Sequence, residues 1–389
     1  MVASAFVVGF AVFGTMYSFG VFFTPMATEF HSSSAATSAF FSVTGFAFYT
    51  AGPIVGHLSD RFGPRIMVGI GSSVMGISLV LTGFIDQIWV GYLTYGIGVG
   101  VGATCAYVPT LAIIGGWFVR RRGTAFGIAA AGTGCGTLLV PPLAAGLIEW
   151  YGWRITDMIV GVGCALLLTG CALAVRPPPL THAAEAHRSL RGVVCSWPFL
   201  ALYVSWVLAT TALFVPLVYL PSFAIKAGAD EMAASALLSL IGGMSILGRA
   251  GLSGLSDRIG MVPLFKMSVF LMGASYLLWL CLPSHGWLII FATVLGLGYG
   301  VRIAMMPGVL VEYFGLRNPG TILGVFFTAS GLASIFGPLA AGWIVDRSGG
   351  YKWAIVFALV MGTLGFLAIL PLRPITSQRH DEAVNEPAS

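Results

Sequence analysis

The sequence predicts an all-α membrane protein with twelve transmembrane helices in two pseudo-symmetric six-helix bundles. Three observations support this prediction. The 389-residue chain is 57% hydrophobic and only 8% charged, whereas soluble domains are roughly 25% charged. Its mean hydropathy is +0.93, and apolar runs long enough to cross about 30 Å of hydrocarbon recur along its whole length. Short segments of the first half also return in the second half at a nearly constant spacing.

Each predicted helix is an apolar run of about 20 residues. The twelve runs lie at residues 2–25, 35–57, 65–85, 88–114, 122–148, 153–175, 197–223, 231–254, 262–282, 286–310, 319–344 and 352–372. The first run is long and lacks a preceding basic region, so it is interpreted as a helix and not as a signal peptide. Residues 176–196 are rich in Pro, His and charge. They predict a cytoplasmic linker between two halves, 1–175 and 197–373, and residues 374–389 are the predicted cytoplasmic tail.

The two halves contain an internal repeat. The repeated pairs are LSDRFG at 58–63 with LSDRIG at 255–260, Gly123-Thr124 with Gly320-Thr321, and PLAAG at 142–146 with PLAAG at 338–342. The first two pairs are offset by 197 residues and the third by 196. Shared apolar composition does not explain three segments in one register, so the pattern indicates two related bundles.

The positive charges predict the orientation of the helices. Thirteen Lys and Arg residues fall on one predicted side, and only Arg154, Lys226, Arg347 and Lys352 fall on the other. The positive-inside rule then places both termini and the linker in the cytoplasm, and it predicts a location in the inner cell membrane. Because most positive charges lie on the predicted cytoplasmic side, the net charge of +5 is explained by the orientation of the helices in the membrane. No nucleic-acid partner is expected.

Two arginines lie deep inside predicted helices, with no acidic residue of comparable depth to pair with them. Arg249 falls in the eighth run among small apolar residues, which predict no local partner, and Arg302 falls in the middle of the tenth. A charge near the bilayer centre costs about 2.5–3.5 kcal/mol on insertion scales, so one that is present is expected to have a function. The planar guanidinium grips a carboxylate through two hydrogen bonds. Arg249 therefore predicts a site for a small organic anion.

Arg302 leaves two interpretations open. It is a second grip, favouring a dicarboxylate or lining an anion path, or its side chain snorkels or bonds to carbonyls freed near Pro307. The other residues expected to contact the anion carry hydroxyl groups. The complete set of predicted substrate-binding residues is Arg249, Tyr107, Tyr299, Arg302, Tyr17 and Ser245.

No cofactor, metal site or enzymatic activity is predicted. The glycine strings, such as residues 96–102 and 296–300, lie inside apolar runs and lack the lysine of a phosphate loop, so they predict close helix packing. All six histidines are peripheral, and the only acid near a helix interior is Asp157, expected near the membrane interface. The sequence therefore shows no obvious group that titrates at the predicted anion site.

The segment GHLSDRFGPR, residues 56–65, resembles the signature of the major facilitator superfamily between its second and third helices, and LSDRIG is similar to its echo between the eighth and ninth. The resemblance implies two six-helix halves that rock about a midplane site. Asp60 would accept hydrogen bonds from N–H groups at a helix N-terminus, while Arg61 and Arg65 would tether neighbouring helix ends. The implied gating residues are Gly56, Asp60, Arg61, Gly63, Arg65, Asp257 and Arg258.

Within that superfamily, the chain resembles the monocarboxylate transporters and their oxalate/formate-exchanging relatives. The resemblance rests on Arg249 in the eighth helix, YSFGVFF at 17–23, FVPLVYLP at 214–221, and GYG at 298–300 followed by Pro307. The chain departs from mammalian-type members at two positions. Tyr17 stands where they carry a lysine, and Ser245 stands where they carry an aspartate one turn before the arginine. The proton-handling pair implied by the family is therefore missing.

These observations predict a secondary active transporter of small monocarboxylates such as lactate or pyruvate, working by proton symport or anion exchange in the lipid bilayer. An exchanger of oxalate-like dicarboxylates is the alternative that Arg302 favours. A substrate sensor without turnover and an exporter of hydrophobic drugs are alternatives of other classes. The oligomeric state is left open.

Overall fold

The computed structural model describes residues 1–118, 121–176, 190–281, 285–316 and 318–373. Most of the predicted linker and the whole predicted tail at 374–389 lie outside these residues, as do Arg120, Arg188 and Arg317. The described residues are helical nearly throughout and contain no β-strand.

Eleven long apolar helical segments could cross a membrane, and one of them is divided into two, so the predicted twelve helices are confirmed. They are α1 Val2–Glu29, α2 Ser34–Phe62, α3 Pro64–Thr82, α4 Ile88–Trp117, α5 and α6 (the parts of Arg122–Ala174 before and after Gly152), α7 Trp197–Lys226, α8 Met232–Ile259, α9 Met261–Cys281, α10 His285–Phe314, α11 Pro319–Ser348 and α12 Lys352–Ile369. Gly152 has φ 76° and ψ 165°, a conformation that glycine adopts without the penalty of a side chain. This residue therefore separates α5 from α6.

Two of the described helices contain irregular turns, α4 near its start and α8 near its end. In α4, Tyr92–Val99 is π-helical. In α8, a π-helical turn at Gly248–Leu252 is followed by a 3₁₀ turn at Ser253–Leu255. Single π turns inside α-helices are rare and are frequently found at functional sites. The π turn of α8 contains Arg249.

The first of two compact units consists of Met1–Val119, Ile128–Ala183 and Leu316–Gly331. Within it, α4 packs against α1, α2 and α3. Small residues permit this packing, since a Cβ atom added at Gly71 of α3 would lie 2.7 Å from the carbonyl oxygen of Gly102 in α4. The start of α11 also belongs to this unit, although it comes from the second half of the sequence.

The second unit consists of Arg120–Gly127, Ala184–Gly315 and Leu332–Ser389. Within it, α10 packs against α8 and α9, and α7 packs against α12. Its apolar core includes Trp279, Phe291 and Tyr276. The start of α5 belongs to this unit, so each unit contains the first turns of one helix from the other half of the sequence.

Candidate functional site

In the first unit, the carboxylate of Asp60 at the end of α2 binds the N-terminus of α11. It accepts hydrogen bonds from the backbone N–H groups of Gly320, at 3.0 Å, and Thr321, at 2.8 Å, and from the Thr321 hydroxyl, at 2.6 Å. A helix N-terminus carries free N–H groups and a partial positive charge, which favour a carboxylate. We call Asp60, Gly320 and Thr321 the first clasp.

Glycines bring α2 and α11 into backbone contact beside the first clasp. A Cβ atom added at Gly52 would lie 2.7 Å from the carbonyl oxygen of Gly324, and one added at Gly56 would overlap the carbonyl group of Gly320. Both contacts are too close for any larger residue without movement of a helix. The Gly56 of the loop signature is therefore a packing residue of α2.

In the second unit, Asp257 at the end of α8 makes the equivalent contacts with the start of α5. Its carboxylate accepts hydrogen bonds from the backbone N–H of Gly123, at 3.0 Å, and from the Thr124 hydroxyl, at 2.6 Å. We call these three residues the second clasp. Asp257 follows Asp60 by the same 197 residues that separate Thr321 from Thr124, so the repeat pairs each aspartate with the threonine of the other half of the sequence.

The repeated segments LSDRFG and LSDRIG both end on a glycine because the chain turns there with a positive φ. Gly63 and Gly260 both have φ 91°, a value that disfavours residues with a side chain, and each donates its N–H to the carbonyl four residues earlier. Arg61 stacks on the ring of Phe62, with its guanidinium carbon 5.4 Å from the ring centroid. Arg65 is exposed, as is Arg258. The tethering role of Arg61 and Arg65 stays a prediction.

Arg249 lies in the π-helical turn of α8 with only 5% of its surface exposed. Its guanidinium carbon lies 5.5 Å from the centroid of the Tyr299 ring on α10, within the range of a cation–π contact. The expectation that Arg249 has no local partner concerned its own helix, and the ring of Tyr299 comes from a different helix through packing that the local sequence does not show. Ser245 is buried one turn earlier, and its hydroxyl donates to the carbonyl of Gly242 at 2.8 Å.

The backbone around Arg249 also contacts the start of α5. The hydroxyl of Ser253 donates to the carbonyl oxygen of Arg249. A Cβ atom added at Gly127 of α5 would overlap that same carbonyl oxygen. Arg249 and Ser253 stand 197 residues after Gly52 and Gly56, so the predicted anion anchor occupies the position where the first half has a packing glycine.

Arg302 is buried in the second unit, with 1% of its surface exposed. Its guanidinium carbon lies 4.0 Å from the centroid of the Trp206 ring, and its Nη2 donates to the Thr210 hydroxyl at 2.7 Å. Among the residues that the structure describes, its Nε and Nη1 have no hydrogen-bond partner. This burial favours a side chain inside the helix bundle over one that snorkels along the lipid face. The described hydrogen bond goes to Thr210 and not to a carbonyl near Pro307.

The two remaining predicted tyrosines belong to the first unit. Tyr107 of α4 is buried, and its ring centroid lies 4.9 Å from that of Phe13 and 6.0 Å from that of Phe327. Tyr17 of α1 is 50% exposed and packs against Phe13 and Phe41. The structure therefore groups Tyr17 with Tyr107 through Phe13, and it groups Arg249 with Tyr299 in the other unit.

Sequence reasoning did not identify two residues of the clasps. Thr124 and Thr321 were recognised only as part of the repeat, although their common offset with Asp257 and Asp60 is the signal that pairs them.

Asp157, expected near the membrane interface, lies shortly after Gly152 at the start of α6. Its side chain is buried in the first unit, with 1% of its surface exposed. The sequence did not predict this burial, and the depth of Asp157 in the membrane stays a prediction.

Comparisons with known proteins agree on one family. The model of the Major Facilitator Superfamily matches residues 5–284 and 253–389. Monocarboxylate transporter 3 of Rattus norvegicus is 30% identical over 369 residues, which cover 90% of this chain and 75% of that protein. The MFS transporter asaE of Aspergillus flavus is 28% identical over 383 residues, which cover 96% of this chain and 86% of that protein.

A solved structure shows the same fold. The proton:xylose symporter XylE, described as a major facilitator superfamily protein, aligns with a TM-score of 0.73 over 94% of either chain. Its sequence is 17% identical to this one, so the similarity concerns the fold alone.

Proposed function

Because the chain belongs to the Major Facilitator Superfamily, we propose that it carries a small monocarboxylate such as lactate or pyruvate across the membrane by alternating access. The observation that carries the proposal is Arg249, a permanently charged side chain that is buried in an apolar helix at a π turn. Relatives named monocarboxylate transporters, at 29–30% identity, support the choice of substrate class.

Arg249 is the proposed anchor of the carboxylate. Its planar fork offers two parallel N–H donors to one carboxylate, a geometry that lysine does not provide. The phenol of Tyr299 lies beside it and is the proposed second contact. Tyr17, Tyr107 and Ser245 stay proposed contacts on the strength of the sequence pattern, although the hydroxyl of Ser245 already donates to its own helix.

The two clasps are the proposed gate. Each joins a helix from one half of the sequence to a helix from the other, α2 to α11 and α8 to α5. Release of both clasps would free the two halves of the sequence at these helix ends. The distribution of Lys and Arg supports an orientation with both termini, and therefore these clasps, on the cytoplasmic side of the inner cell membrane.

Purified protein in liposomes tests the proposal directly. Labelled L-lactate is offered with and without an inward proton gradient, and also to vesicles preloaded with unlabelled lactate. We expect uptake by the wild type and its loss in Arg249→Ala, while an exposed arginine on α11, Arg347→Ala, serves as the matched control. Absence of lactate uptake from the wild type under all three conditions would refute the monocarboxylate proposal.

Exchange of an oxalate-like dicarboxylate is the second candidate, and Arg302 is the observation that favours it. Its Nε and Nη1 nitrogens, which have no hydrogen-bond partner among the described residues, are buried donors, and they carry a desolvation cost until an acceptor arrives. In oxalate-preloaded vesicles, this candidate predicts rapid entry of labelled oxalate that Arg302→Leu abolishes. Entry of lactate but not of oxalate would exclude it.

A further inference from the structure

Asp157 is a buried carboxyl group that the proposed cycle has not used. It lies one turn after Gly152, at the start of α6, with 1% of its surface exposed and no hydrogen-bond partner at Oδ2. Within the described residues it forms no ion pair with Lys or Arg. Burial of an ionised carboxylate without a partner costs many kcal/mol, so a group in this position is neutralised or hydrated.

The charged side chain that precedes Asp157 by one turn already has other partners. Arg154, one turn before Asp157, binds Glu29 at 2.8 Å, approaches Asp86 at 3.9 Å, and donates to the carbonyl of Gly83 at 3.1 Å. Glu29 also accepts from the indole of Trp153. The guanidinium is therefore committed to the end of α1 and does not neutralise Asp157.

Uncharged side chains join α1, α4 and α6 in this part of the first unit. From α4, Tyr95 lies within electrostatic reach of Asp157 and of Cys164 in α6, and its hydroxyl donates to the carbonyl of Thr15 in α1 at 3.3 Å. The hydroxyl of Thr15 also shares a hydrogen bond with Cys164 at 3.0 Å. These described contacts supply Asp157 with no positive charge.

The consequence is a packing arrangement that depends on one proton. When the carboxyl holds its proton, α1, α4 and α6 can close around it without a buried charge. When the proton leaves, the carboxylate needs water, and the helices must separate enough to admit it. The closed conformation accepts this carboxyl group only in its protonated form, so binding of the proton favours that conformation. In this way proton binding is coupled to the conformational cycle.

We propose that Asp157 is the proton-binding residue of this transporter, and that the carboxylate substrate moves by proton symport. This inference rests on the proposed function. In the family that the chain resembles, a lysine and an aspartate handle the proton, and this chain has Tyr17 and Ser245 in their places. Asp157, in the first unit, is the proposed titrating group instead. One proton converts the carboxylate of Asp157 to the acid on one side of the membrane and departs on the other. The Glu29–Arg154 pair, one turn away, is partly exposed. The proposed path of the proton from solvent to Asp157 therefore begins at this pair.

Asp157→Asn tests the inference, because asparagine has the same shape and stays uncharged. The variant is expected to lose accumulation of labelled lactate driven by a proton gradient but to keep counterflow into lactate-preloaded vesicles. Asp157→Glu is expected to restore part of the gradient-driven accumulation. Glu149→Gln, which alters an exposed acid of the same helical segment, is the matched control and is expected to resemble the wild type.

Several outcomes would overturn the assignment. Gradient-driven accumulation that survives in Asp157→Asn would do so, and so would a wild type that exchanges lactate without any response to the gradient. An infrared measurement is independent of the substrate. The difference between the spectra of the wild type and Asp157→Asn in acidic buffer is expected to contain one carboxyl C=O band, and this band is expected to disappear in alkaline buffer. If the wild type lacks that band, Asp157 is not the proton site, whether or not lactate is transported.

Discussion

The two clasps occupy equivalent positions of the internal repeat, yet their helices are built from different residues. In the first, glycine meets glycine, with Gly52 of α2 against Gly324 of α11. In the second, Arg249 and Ser253 of α8 meet the glycines of α5. A glycine on one helix is sufficient for close approach of the two backbones. The opposite helix can therefore carry a charged residue. The proposed anion anchor, Arg249, therefore stands at a position whose repeat partner, Gly52, only packs.

The clasps also differ in strength. Asp60 is half-buried and accepts three hydrogen bonds, two of them from backbone N–H groups at the start of α11. Asp257 is exposed and accepts two. Hydrogen bonds to charged groups contribute about 1.5–3 kcal/mol each when shielded from water and less when exposed. The first clasp is consequently expected to resist opening more than the second.

The largest effect is expected from a side chain at the close contacts. Gly56→Leu and Gly127→Leu each place atoms where a backbone carbonyl now lies, and overpacking of this kind costs about 1–3 kcal/mol or more. Both variants should lose transport and melt at a lower temperature. Thermal unfolding in detergent and lactate uptake measure the two effects.

Matched controls come from the same helices. A Cβ atom added at Gly45 of α2 or Gly146 of α5 meets nothing within 4 Å. Gly45→Leu and Gly146→Leu should therefore melt near the wild-type temperature. If they lose as much stability as Gly56→Leu and Gly127→Leu, general helix propensity, and not close contact at the clasps, explains the effect.

A smaller effect is expected from Asp60→Asn and Asp257→Asn. Each amide keeps one acceptor oxygen but loses the negative charge that the helix N-terminus favours. Both proteins should insert normally and transport more slowly, and Asp60→Asn should be the slower because it disrupts three hydrogen bonds. Initial uptake rates normalised to protein amount give the comparison, and equal rates in the two variants would contradict the difference in strength.

The smallest effect is expected from Thr321→Val and Thr124→Val. Each removes a single hydroxyl donor and leaves the backbone donors in place. The loss at Thr321 should be about 1 kcal/mol, the usual net value of one hydrogen bond. Labelling rates of cysteines introduced at the ends of α2 and α8 would report how often each clasp opens. Thr321→Val should raise the labelling rate at the end of α2, and Thr124→Val should raise it at the end of α8.

The sequence predicted the features that depend on local pattern. The twelve helices followed from hydrophobic runs, including the break near Gly152, and the repeat marked both clasp aspartates. The contacts of those side chains with Thr321 and Thr124 were not predicted, since they depend on how separate helices pack. For the same reason the ring of Tyr299 beside Arg249, the indole of Trp206 beside Arg302 and the burial of Asp157 became visible only in the fold.

Counterflow of labelled L-lactate by Arg249 variants tests the central claim most directly, because counterflow needs binding and translocation but no driving force. Wild-type vesicles preloaded with lactate should take up the label rapidly, and Arg249→Ala vesicles should take up none above protein-free vesicles. Arg249→Lys should retain a small fraction, since lysine keeps the charge but not the two-pronged geometry. Wild-type counterflow in Arg249→Ala would show that the arginine does not anchor the substrate.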